Sequence, residues 1–138
     1  MTTADVKCEA KVDTKLKDRL ELLNDFMRAD NGEMEEKELD EFRNNHGKFN
    51  EFGLSFDWVY PDTFDDQKEG FFRYQLSWGG PSDEFRFCVN PDLSIHRIEY
   101  WYMDWFDGAS RTLAGKDFEL LETIFQYFDP IIPEEDQS

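Results

Sequence analysis

Apolar residues recur along this chain with two different periods, and the change of period divides it. Over 13–28 the spacing is helical: Leu16, Leu20, Leu23 and Met27 stand at i, i+4, i+7 and i+11, one face of a 3.6-residue repeat. Asp13 or Thr14 can cap this helix, and Asn31-Gly32 stops it. A second helix is expected over 33–45. Leu39, Phe42, His46 and Phe49 continue its apolar side, and Gly47 marks its end. The short link between the two makes a helical hairpin.

From residue 54 the period drops to two. Leu54, Phe56, Trp58 and Tyr60 alternate with polar neighbours, and Pro61 ends the run. A second strand, 71–78, sets Phe72, Tyr74, Leu76 and Trp78 on one face. A third, 85–89, does the same with Phe85, Phe87 and Val89, and a fourth, 97–105, with Ile98, Tyr100 and Tyr102. Gly79-Gly80-Pro81 and Asn90-Pro91-Asp92 supply turns. The segment 61–70 reads as a polar, mobile loop, and DGASRTLAG as a loop leading to a last helix over 116–128. That helix carries Phe118, Leu121, Phe125 and Phe128, widened by Leu120, Ile124 and Tyr127, and is expected to be well buried.

The expected architecture is α+β, in the order ααββββα. It comprises a flexible leader (1–12), an acidic helical hairpin (13–49), a four-stranded, mainly antiparallel meander (54–106), a C-terminal helix (116–128) and a fraying acidic tail (129–138). A length of 138 residues fits one domain. Helices cover the aromatic face of the sheet. Asp57, Arg73, Arg86, Arg97 and Glu99 fall on the opposite face, which reads as solvated and salt-bridged across strands.

Charge changes the picture. The chain has 32 acidic and 15 basic residues, a net charge of −17, with 17% aromatic residues. Such aromatic content argues for a folded core, and the charge excludes nucleic acid and anionic membrane as direct partners. Two cysteines, Cys8 and Cys88, make no disulfide framework, and no apolar run is long enough to span a bilayer. A cytoplasmic location is expected.

The acid is patterned. On the first helix Asp18, Glu21 and Asp25 stand at i, i+3 and i+7, and Glu33, Glu36 and Asp40 repeat that spacing on the second. Each triplet falls within an arc of roughly 60° and spans roughly 10 Å. That is about three phosphate steps of one DNA strand, at roughly 3.4 Å per step. Asp62, Asp65 and Asp66 add an acidic loop. One such stripe is ordinarily a solvated helix face; two stripes, a loop and a tail together raise a binding surface to equal weight. Trp101, Met103 and Trp105 form an apolar row on the charged face, either a contact patch or a surface covered by the chain's own loop or leader.

Other chemistry is weaker. Asn31 to Glu38 resembles the second half of an EF-hand loop, with Gly32 at the sharp turn and Glu38 at the closing position. Met27 and Ala29, which cannot ligate Ca²⁺, would hold its first and third positions. His46 and His96 lie on different elements without metal-ligand spacing, and no nucleophile elbow or P-loop is present. The expectation is a non-enzymatic protein with no cofactor, no metal and no catalytic residues. In general character it resembles the small acidic anti-defence proteins of phages and plasmids, which implies inhibition of a basic nucleic-acid-binding partner such as a CRISPR effector, restriction enzyme or nuclease. An immunity protein against a nuclease toxin, a Ca²⁺ binder, and an enzyme working in a pocket between sheet and helices are the alternatives.

Overall fold

A computed structural model of the chain describes residues 7–49, 52–53, 55–64, 66–78, 81–104, 107–128 and 130–133. The elements run α1 (Lys7–Asp30), α2 (Glu36–His46), β1 (Ser55–Val59), β2 (Phe71–Ser77), β3 (Ser82–Val89), β4 (Ile95–Asp104), β5 (Asp107–Thr112) and α3 (Gly115–Gln126). The strands form one sheet in sequence order, each pair antiparallel. The α+β meander is as expected, with one strand more.

That strand, β5, replaces the loop expected after residue 106. Its sequence, DGASRT, has neither alternation nor strand propensity. Pairing makes it a strand: Tyr102 faces Ala109 and Glu99 faces Thr112 across the ladder. β5 also explains why α1 starts early. The Cys8 amide, one of the unpaired donors at a helix N-terminus, donates to Asp107 Oδ2 at 3.0 Å. Arg111 of β5 holds Glu9 at 2.8 Å and Asp13 at 2.9 Å. Residues 7–12 are therefore helix and not leader, and Cys8 and Val12 extend the stripe of Leu16 back into the core.

The inner face of the sheet carries a ladder of rings. Phe56, Tyr74, Phe85 and Tyr100 stand opposite one another across four strands, with Phe72, Phe87 and Ile98 beside them. α1 and α3 cover this face. From α3, Phe125 meets Phe87 at 4.9 Å and Phe72 at 5.5 Å, while Phe128, just past the helix, stacks on Phe56 at 4.2 Å. Alternation assigns Trp78 to this face, but it lies beyond the end of β2 and is 76% exposed. The register slips between Gln75 and Ser77, which breaks the period there.

Helix α2 sits differently. It has no buried residue. It is fastened through Phe42 and His46, whose rings lie 5.0 Å and 6.4 Å from Phe26 of α1, and through the pairs Arg28–Glu38 and Arg43–Asp30. The turn before it is a Schellman stop: Gly32 has φ +74°, and the amides of Gly32 and Glu33 donate to the carbonyls of Ala29 and Arg28.

One ionic cluster crosses the core. Residues 82–84, expected in a turn, belong to β3, and Asp83 points inward with its side chain 2% exposed. Arg19 of α1 grips it twice, at 2.7 and 3.1 Å; Ser77 Oγ donates to it at 2.5 Å and the Tyr100 hydroxyl at 2.6 Å. Burial and that carboxylate push the Tyr100 phenol pKa up. Removing the carboxylate leaves a guanidinium and two hydroxyls without their acceptor. Asp83→Ala is expected to lower unfolding free energy by about 3–5 kcal/mol, read as the midpoint shift in urea. A loss under about 1 kcal/mol would show that the cluster does not lock α1 to the sheet.

Candidate functional site

The placement of cations defines the surface. All seven arginines hold carboxylates. Arg19 holds Asp83, Arg28 holds Asp25 and Glu38, and Arg43 holds Asp30. Arg73 holds Asp57, Arg86 holds Glu84, Arg97 holds Glu69 and Glu99, and Arg111 holds Glu9 and Asp13. Lys17 adds a lysine pair, 4.0 Å from Glu21. With 32 acidic residues to 15 basic ones, much of the remaining acid has no cation to meet it.

Several of the expected contact residues are among them. Asp18 and Glu21 are exposed on α1, while Asp25 is half-buried and held by Arg28 at 3.2 Å. Glu36 and Asp40 are exposed on α2. Glu33 is exposed but lies in the turn before α2, so the second triplet is not one helical row; Glu36 and Asp40 remain of it. Asp18, Glu33, Glu36 and Asp40 form no ion pair among the described residues, nor do the exposed Glu35 and Glu41. Glu38, the closing ligand of the EF-hand reading, is turned to Arg28 at 3.5 Å. No cluster of three metal-ligating side chains occurs among the described residues.

The outer face of the sheet differs from the solvated surface expected. The segment 60–70 folds over one end of it, organised by Gln67. That amide donates to the carbonyls of Tyr60 and Glu69 at 2.9 and 2.7 Å and accepts from the Phe64 amide at 2.9 Å. Asp62 and Asp66 take left-handed φ of 64° and 59° and stay exposed. Gly70 lies against Trp58 so closely that a Cβ would stand 2.3 Å from the ring. Asp65 and Trp105 lie outside the described residues.

Beneath this loop is a cleft of about 540 Å³, lined by Phe64, Phe71, Cys88, Trp101 and Met103 with Arg86, Arg97, Glu69 and Glu99. Trp101 and Met103 are thus half-buried walls, covered by the chain's own loop, and not a free patch. Arg86 is the centre. Its Cζ lies 4.0 Å from the Trp101 ring centroid, 4.8 Å from Phe71 and 5.2 Å from Phe64. Each such contact contributes about 0.5–2 kcal/mol, more as water is excluded. Trp101 Nε1 donates to Glu99 at 2.9 Å. Ion pairing runs along strands as well as across them: Arg86 takes Glu84 and Arg97 takes Glu99, each two residues away, although Arg86 stands opposite Glu99. Arg73–Asp57 is the cross-strand pair that alternation predicts.

Sequence reasoning found Trp101 and Met103 but missed Glu84, Gln67 and the role of Arg86. The signal for Glu84 was present: it shares the parity of Arg86 and faces Trp101 in the ladder. Nothing in the sequence marks Gln67 as the knot of the loop.

No protein-family model, curated protein or solved structure matches this chain. The site must be read from its own chemistry.

Both thiols are unsuited to nucleophilic work. Burial pushes the Cys8 thiol up to about 11, helped by Asp107. It pushes Cys88 up to about 12, against the opposing charge of Arg97. At about pH 8 neither is a thiolate to any useful extent. Ellman's reagent is therefore expected to react with both only after unfolding in denaturant. Rapid reaction of either in the native protein would contradict the burial.

Proposed function

We propose that this protein is a non-enzymatic inhibitor that occupies a basic nucleic-acid-binding protein, setting carboxylates where phosphates would lie. The observation that carries the reading is the division of the charges. Every arginine is held by a carboxylate, while Asp18, Glu33, Glu35, Glu36, Asp40 and Glu41 are exposed without an ion pair among the described residues. Exposed acid concentrated over 33–41, six carboxylates against Lys37, supplies a field that steers a cationic partner. Steered association is fast and falls with salt.

The shape supports the same reading. α2 contributes no buried residue; Leu39, Phe42 and Arg43 are half-buried on the side held to α1, and the rest of its surface, Glu36 and Asp40 included, is exposed to a partner. The Schellman turn, the ring contacts to Phe26 and two ion pairs hold it in place, so it does not need ordering on binding. Partners of suitable chemistry are those with a basic nucleic-acid channel: a CRISPR effector, a restriction enzyme or a nuclease. Inhibition of such a partner is the work of an anti-defence protein of a phage or plasmid.

Charge reversal tests this. Immobilised protein should retain a nucleic-acid-binding protein from host lysate at low salt and release it at high salt. Asp18→Lys, Glu36→Lys and Asp40→Lys together, all on exposed positions, should weaken that complex about tenfold or more while the circular dichroism spectrum is unchanged. Undiminished binding by the triple variant would remove the hairpin from the interface.

A further inference from the structure

Arg86 has five N–H donors and uses one. Its Nε donates to Glu84 Oε2 at 2.7 Å, and neither terminal nitrogen has a hydrogen-bond partner among the described residues. The side chain as a whole is only 11% exposed, yet its terminal nitrogens are not buried atoms, so they stay open to a molecule entering from solvent. Arg86 forms a wall of the 540 Å³ cleft, a size typical of small-molecule sites.

Geometry and charge restrict what can enter. Trp101, Phe71 and Phe64 pack about the guanidinium, Trp101 closest, so new hydrogen bonds must be made at the edge in its plane. Glu84, 3% exposed, neutralises its charge, Glu69, Glu99 and Asp66 answer the cleft's other cations, Arg97 and Lys68, and the chain as a whole carries −17. What remains is donor capacity and not net positive charge, so an anion is disfavoured. A flat, uncharged ring with two neighbouring acceptors satisfies the free edge with paired hydrogen bonds. Phe64 and Trp101 offer stacking, and Glu99 and Glu69 at the rim can accept from ring N–H groups.

We infer that the cleft under the 60–70 loop binds an uncharged planar heterocycle whose edge carries two adjacent acceptors, the pattern of the guanine base in a nucleoside. The site is independent of the acidic hairpin and of its partner.

The test is a titration of the ¹⁵N-labelled full chain with guanosine, following the Trp101 indole N–H. Guanosine is expected to shift that resonance saturably. Adenosine, which has a donor in place of the carbonyl oxygen, should bind about tenfold more weakly or worse. Guanosine monophosphate should bind more weakly than guanosine at low salt, because its phosphate meets the negative field. Arg86→Lys keeps the charge but loses the fork and should weaken guanosine about tenfold. Should that variant not fold, Met103→Trp fills the cleft from a half-buried wall and should abolish the shift. No shift at millimolar guanosine, equal binding of adenosine, or binding that survives Met103→Trp overturns the inference.

Discussion

A shortage of cations shapes this molecule: 15 basic residues serve 32 acidic ones. Every arginine is committed to a carboxylate, and several of these pairs join elements far apart in sequence. Arg19–Asp83 fixes α1 to β3, Arg111 with Glu9 and Asp13 fixes α1 to β5, and Arg97–Glu69 fixes the 60–70 loop to β4. Arginine suits this work because its planar fork holds a carboxylate with two hydrogen bonds where lysine offers a point charge. With the arginines paired, much of the excess acid stays on the surface, and the segment 33–41 that opens α2 holds six acids against Lys37 alone.

The aromatic pattern made most of the sheet legible. Alternation of Phe72, Tyr74, Phe85, Phe87, Ile98 and Tyr100 predicts both the strands and their inner face, and the ladder agrees. Illegible parts depend on contacts between distant segments. β5 has the composition of a loop and becomes a strand because β4 offers an edge and α1 packs beside it. The first turn of α1 looked like a leader because its cap, Asp107, comes from that unseen strand. Asp83 and Glu84 looked like turn residues because buried acid is costly, and only Arg19 and Arg86 make it tolerable.

The candidate surface was legible in a similar proportion. Helical spacing located Asp18, Glu21, Glu36 and Asp40 on exposed faces, but it overran the true start of α2 and counted Glu33 into a row it does not join. Spacing also cannot say which acids are neutralised; Asp25 is, and Asp18 is not. The row at Trp101 and Met103 was seen as apolar, with a contact patch and a cover by the chain's own loop or leader both open; spacing could not choose, because the cover rests on the Gln67 hydrogen bonds and on Phe64 lying over Arg86. The sheet thus has two unlike faces: a packed one that α1 and α3 cover, and a cleft-bearing one over which the 60–70 loop folds.

Phosphate mimicry makes one strict demand of this surface. The captured partner must not hold this protein and its nucleic acid together. Fluorescence anisotropy of labelled duplex DNA bound to the purified partner, titrated with the acidic protein, measures this directly. Mimicry predicts complete displacement, with an apparent affinity that rises as the DNA concentration is lowered. A ternary complex, with the DNA still bound at saturating protein, would contradict it.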